Sequence, residues 1–164
     1  MTIMRVSLVG TELSTSQKET LANRLIEAFA VVEVGRDAPE IRKGFLVRFE
    51  EIASEDLWMG ERPMSEATPS GKAALIETHV MAGPWNAEMK ADLFARLEEI
   101  VRDVAGMPRD AGGADFWMTF VEVPEGGWGL GGRPVSIGRL APVFLPDRQA
   151  RIEAYLAGRD AQGD

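Results

Sequence analysis

Two hydrophobic periods alternate along this chain. Residues 4–9 (Met-Arg-Val-Ser-Leu-Val) alternate apolar and polar positions in the manner of a strand, and Gly10 ends it. Ser14 is suited to cap a helix, because its hydroxyl can accept a bond from a first-turn N–H just before Gln17-Lys18-Glu19. Leu21, Leu25, Ile26, Phe29 and Val32 follow at helical spacing and make one apolar stripe. Residues 35–39, from Gly35 to Pro39, break that helix. Phe45, Val47 and Phe49 then alternate with Leu46, Arg48 and Glu50, a second strand, and the segment ends in Leu57-Trp58-Met59-Gly60.

Residues 61–72 carry two prolines with Gly, Ser and Thr, and read as a linker. Beyond it the same order returns. Residues 75–81 predict a strand, Gly83-Pro84 a break, and Leu93, Leu97, Ile100, Val101 and Val104 a helical stripe. Gly106-Met107-Pro108 stops the helix and Ala111-Gly112-Gly113 extends the loop. Residues 116–123 are rich in aromatic and β-branched side chains and predict a strand. The turn after it runs through Gly126-Gly127-Trp128-Gly129-Leu130-Gly131-Gly132. Gly10 matches Gly83, Glu51 matches Glu122, and residues 57–60 match 128–131, an offset of about 71 to 73 positions. Two copies at that spacing mean a duplicated small unit, not a solenoid. The organisation is therefore a first β-α-β unit over 1–60, a linker over 61–72, a second unit over 73–139, and a tail over 140–164. In the tail Ile152, Tyr155 and Leu156 suggest a short amphipathic helix before polar final residues.

A β-α-β crossover is right-handed and puts its helix on one face of a parallel strand pair. Two units joined edge to edge predict an α/β (α+β) fold, a four-stranded sheet with both helices on one face. Yet the strands are apolar on both sides: Phe116, Met118 and Phe120 oppose Trp117 and Val121, and Leu46 opposes Phe45 and Val47. Two helices cannot cover the second face, so oligomerisation is expected there, a fold of the tail across it being the alternative.

Composition narrows the function. A hydrophobic fraction of 45% in 164 residues suits one folded unit. A net charge of -8 argues against nucleic acid and anionic membranes as partners. No apolar run approaches the ~20 residues of a membrane span. With no charged-then-apolar leader at the start, the expected location is cytoplasmic. The chain has no Cys, and its single histidine, His79, stands beside Glu77 without a third ligand at metal-site spacing, so neither a metal nor a cofactor is expected. The Gly-rich run at 129–132 lacks the Lys and Ser/Thr of a phosphate loop.

The residues 4–9, the run Ser14-Thr-Ser-Gln-Lys-Glu-Thr-Leu21, and above all Phe120-Val-Glu-Val-Pro-Glu-Gly-Gly-Trp-Gly-Leu-Gly-Gly-Arg-Pro134 resemble the tautomerase superfamily, and within it 4-oxalocrotonate tautomerase and its fused relatives. The resemblance covers the chain to about Arg139. It implies a homotrimer and a small carboxylate-containing substrate, an enolisable acid. An N-terminal amine would be its base, arginines would hold its carboxylate, and an apolar wall from the Trp-Gly turn would keep the amine neutral. Thr2 stands where the family has its catalytic proline, and it is small enough for Met1 to be removed, leaving an α-amine that titrates near ~7.7 to 8.0. The family's arginine positions fall on Thr11-Glu12-Leu13 and Pro84-Trp85, and on Leu46 and Trp117. Arg48, two residues beyond Leu46 on the same face, and Arg5 are the substitutes, with a salt bridge as the plain alternative for Arg48. Trp128 fits the pocket wall, and Leu57 holds that place in the first half. Glu122 and Glu125 are further acid–base candidates. The expected function is keto-enol isomerisation with the Thr2 amine as base; the alternatives are a trimer without tautomerase activity, acting in binding or structure, and a hydratase- or dehalogenase-like activity.

Overall fold

A computed structural model describes residues 1–109 and 113–160, the side chains of 159 and 160 excepted. Ala111 and Gly112 of the expected loop, and residues 161–164, lie outside the described residues. The first unit is β1 (Thr2–Val9), α1 (Thr15–Val34), a short α2 (Pro39–Arg42) and β2 (Phe45–Ile52); the second is β5 (Ala73–Met81), α4 (Ala87–Ala105) and β6 (Phe116–Val123). Each unit closes on a two-stranded hairpin, β3 (Trp58–Met59) with β4 (Arg62–Pro63), and β7 (Gly129–Leu130) with β8 (Arg133–Pro134). The sheet order is β2-β1-β5-β6, with each unit internally parallel and the two units joined antiparallel through β1 and β5, where Arg5 stands opposite Glu77.

The local chemistry explains the helix ends. Ser14 Oγ accepts the Gln17 N–H and the Gln17 side chain accepts the Ser14 N–H, a capping box that satisfies two donors at the start of α1. Asn86, which periodicity does not single out, caps α4 through Met89 N–H. Gly35 and Gly106 end the two helices in left-handed conformation.

Both helices pack on the same face. Met4, Val6 and Leu8 of β1 and Ile76 and Val80 of β5 meet Leu21, Leu25 and Phe29 of α1 and Leu93, Leu97 and Val101 of α4 in one buried core. The opposite face stays open in the single chain. Leu46 is 66% and Trp117 57% exposed, with Ile3 and Val121 also exposed. The tail does not cover them, although its Leu140 and Phe144 share a cavity with Ile3 and Leu46. It forms α5 (Ile137–Phe144), a 3-10 turn (Pro146–Arg148) and α6 (Gln149–Asp160), and buries Ile137, Ala141, Leu145 and Ile152 against the core beside Trp85 and Met89. Arg151 fastens it by donating to Pro84 O at 2.7 Å. Among the described residues no helix is long and apolar enough to cross a membrane.

The stretch over 61–72 connects the units but is not a plain linker. Its Arg62-Pro63 repeats Arg133-Pro134, and α3 (Met64–Ala67) buries Met64 against Val9 and Ala73. Gly10 makes this packing possible. Its φ is +64°, and a Cβ there would sit 2.7 Å from Gly71 O and collide with Ser54 Oγ. Gly10→Ala should therefore lower stability by at least about 1 kcal/mol from the left-handed conformation alone, read as a lower midpoint in urea unfolding.

Candidate active site

The antiparallel join places the turn of each half beside the first residues of the other half's leading strand. Trp128 thus comes to the start of β1, and Leu57 to the start of β5. A cavity of about 550 Å³ opens at the first of these places. Met1, Thr2, Glu33, Lys43 and Phe45 line it from the first half, Met81, Trp128 and Leu130 from the second, and Leu140, Phe144 and Leu145 from the tail. Thr2 N donates to Gly44 O at 2.9 Å, which seats the amino end at the cavity.

Polar groups are few there, and one lacks a partner among the described residues. Trp128 Nε1 is buried with no hydrogen-bond partner among the described residues, and the Thr2 hydroxyl faces the Glu33 carboxyl. An orphaned buried donor is costly, and the oxygen of a molecule in the cavity would satisfy Trp128 Nε1. The charged groups are the amino terminus, Glu33, Glu40 and Lys43. Glu33 is 3% exposed, and burial pushes its carboxyl up to about 6 against the opposing pull of the Met1 ammonium and the Thr2 hydroxyl. Arg148 reaches the same helix end but donates to the backbone oxygens of Val32 and Glu33, at 3.4 Å each.

Of the residues singled out from sequence, Thr2 and Trp128 meet in this cavity. Arg5 and Arg48 do not line it in the single chain. They project from the open sheet face, where Arg5 pairs with Glu77 at 2.8 Å and Glu50 at 3.7 Å, and Arg48 pairs with Glu50 at 2.7 Å. Leu57 packs in a small separate cluster with Val9, Met64 and Ala73. His79 is exposed on the open face. Glu122 binds Lys90 at 2.5 Å, repeating the Glu51–Lys18 pair of the first half, and Glu125 accepts the Ile137 N–H at 2.7 Å. Among the described residues no group of three or more His, Cys, Asp or Glu side chains gathers to hold a metal.

Glu33 and Lys43 are the chemistry that periodicity overlooks. A signal for Glu33 exists: aligning the helix caps Gly35 and Gly106 sets it opposite Val104, so one half carries an acid within a stripe that is apolar in the other. The corresponding place at the start of β5 is filled. Ala74 N donates to Asp115 O at 2.8 Å, the counterpart of Thr2 and Gly44, but Asp115 and Arg102 occupy the space as a buried ion pair.

No family model and no curated protein matches the sequence. Solved structures do. The chain is similar to a native fused 4-OT, with TM-score 0.63 and 23% identity over 80% of this chain and 94% of that one. It is similar to N1, a member of the cis-3-chloroacrylic acid dehalogenase family, with TM-score 0.65 and 18% identity over 93% and 99%. A third is a fused 4-OT solved as a symmetric trimer, with TM-score 0.60 and 22% identity over 82% and 94%. At these identities the likeness is one of fold, and the chain shares the fold of these fused 4-OT structures.

Proposed function

We propose that this protein is an isomerase that moves a proton between carbon and oxygen of a small, enolisable carboxylate, with the α-amine of Thr2 as base after loss of Met1. The observation that carries the reading is the cavity itself. It is apolar, it lies at the amino end of β1, and it holds Trp128 Nε1, an unpartnered donor among the described residues that a substrate oxygen would satisfy. Removal of Met1 would widen it and bare the amine beside the Gly44 carbonyl. The neutral amine is the form that accepts a proton. Lys43 is the cation placed to meet a carboxylate within the chain. Arg5 and Arg48 would serve the reaction only across a subunit boundary, from the open face of a neighbouring copy. A homotrimer packed through that face agrees with its exposed Leu46 and Trp117 and with the trimeric assembly of the fused 4-OT of similar fold.

The test is ketonisation of phenylenolpyruvate by the wild type and by Thr2→Pro, with intact mass establishing whether Met1 is present. Turnover is expected in the Met1-free wild type, rising in the proline variant. Activity confined to Thr2→Pro would leave the scaffold competent but the wild type without this reaction. Arg48→Ala should lower activity only in the trimer, as judged by sedimentation; unchanged activity would remove Arg48 from substrate binding. The fold of the dehalogenase family and the carboxylate of Glu33 favour a second reading, activation of water by Glu33. Release of chloride from a chloroacrylate would select it.

A further inference from the structure

Glu33 has no part in the amine-only scheme, yet its position is unusual. It is the penultimate residue of α1, on the side buried against the sheet, and its carboxyl lines an apolar cavity. Among the described residues it forms no salt bridge with Lys or Arg. The cation acting on it is the amino terminus, and the Thr2 hydroxyl donates a hydrogen bond to its carboxylate. Glu40 and Lys43 share the cavity wall, and Arg148 engages the backbone of the helix end. A buried acid without a salt bridge to Lys or Arg costs stability, and such groups concentrate where a proton must move.

We infer that Glu33 and the amino terminus form one proton-transferring pair, with Glu33 as the acid and the amine as the base, an inference that rests on the isomerase reading above. The reacting form, a minor one above pH 6, has the amine neutral and Glu33 protonated. The α C–H bond of the keto acid breaks and its proton goes to the amine nitrogen. The Glu33 O–H breaks and its proton goes to the carbonyl oxygen, while the C=C of the enol forms. The pair is left as ammonium and carboxylate, and one transfer between them restores the starting state. Ketonisation runs the same steps in reverse. Removal of Met1 brings the amine one residue inward, onto Thr2, whose hydroxyl already favours the charged carboxyl. A lone amine would need to carry the proton from carbon to oxygen unaided; the pair serves both atoms at once.

The experiment compares wild type with Glu33→Gln, an isosteric change, in kinetics and in the pH dependence of N-terminal carbamylation by cyanate, followed by mass spectrometry of the first peptide. Glu33→Gln should lower kcat/KM for phenylenolpyruvate by about 100- to 1,000-fold. A bell-shaped pH profile in the wild type should become a single limb that rises to a plateau, since only the amine then titrates. Loss of the neighbouring carboxylate should also lower the amine pKa, so that carbamylation at pH 7 speeds up several-fold. Activity within twofold of wild type, or an unchanged bell, would overturn the assignment of Glu33 as acid. Identical carbamylation profiles would overturn the pair itself, whatever the activity. A wild type that isomerises nothing while its amine titration still depends on Glu33 would refute the isomerase reading and leave the pair standing. Should Glu33→Gln fold poorly, the Glu33 carboxyl signal in 13C-glutamate-labelled wild type must move on carbamylation of the amino terminus; a fixed signal refutes the pair.

Discussion

Arg102→Met is expected to destabilise the protein by about 3–5 kcal/mol, the usual cost of breaking a buried ion pair by removing one member. Arg102 and Asp115 are 6% and 0% exposed. The guanidinium meets the carboxylate through two parallel bonds, Nη1 to Oδ2 and Nη2 to Oδ1, both 2.8 Å. Two further donors go to Glu98 at 2.8 Å and to Pro108 O at 2.6 Å, so α4, the following loop and the residue before β6 converge on one side chain. These carboxylates raise the Arg102 pKa, and it stays charged at every accessible pH. Arg102→Lys should fail nearly as badly, since an ammonium cannot reproduce the fork. Replacing both members, Arg102→Met with Asp115→Leu, should recover much of the loss, because no buried charge is then stranded. Denaturant unfolding of the single and double variants measures this, and additive losses would contradict it.

Glu33→Gln should stabilise the protein by about 2 kcal/mol at pH 7.5 while it impairs turnover. The Glu33 carboxyl titrates at about 6 in the fold against 4.5 for the free group, and each unit corresponds to about 1.4 kcal/mol. Between these values the native state holds a proton that the unfolded chain has released. Stability therefore falls as pH rises from 4.5 to 6, and the full penalty is present above 6. The amide carries no such proton, so the variant's advantage should shrink as the pH drops toward 4.5. Thermal melts across this window decide it, and a constant difference would exclude ionisation of Glu33 as the cause. A destabilising acid retained in a cavity is the usual compromise of a functional site, where activity is kept at the expense of stability.

Much of the architecture is legible in the residues. Alternation at Phe45, Val47 and Phe49 and helical spacing from Leu21 to Val32 belong to single elements, and the helix caps at Ser14, Gly35 and Gly106 act within a turn or two of chain. The open face was readable for the same reason, because Leu46 and Trp117 stand at the alternate positions of their strands. The segment at 61–72 was less readable. Its prolines and glycines signal a turn, but the burial of Met64 depends on Val9 and Ala73, which only the finished sheet brings near.

The candidate site divides along the same line. Its two sequence-marked members, Thr2 and Trp128, lie 126 positions apart and meet because β1 and β5 run antiparallel. Arg5 and Arg48 have the right charge but the wrong parity in their strands, and strand alternation turns them to the open face. Glu33 reads as an ordinary polar residue near a helix end until Met1, Thr2 and the tail close around it. Periodicity, capping and repetition are local properties, so the sequence by itself determined the elements, their duplication and the uncovered face. Which acid is buried, which amine it faces and which half keeps an open cavity depend on contacts between distant segments, and only the tertiary structure decided them.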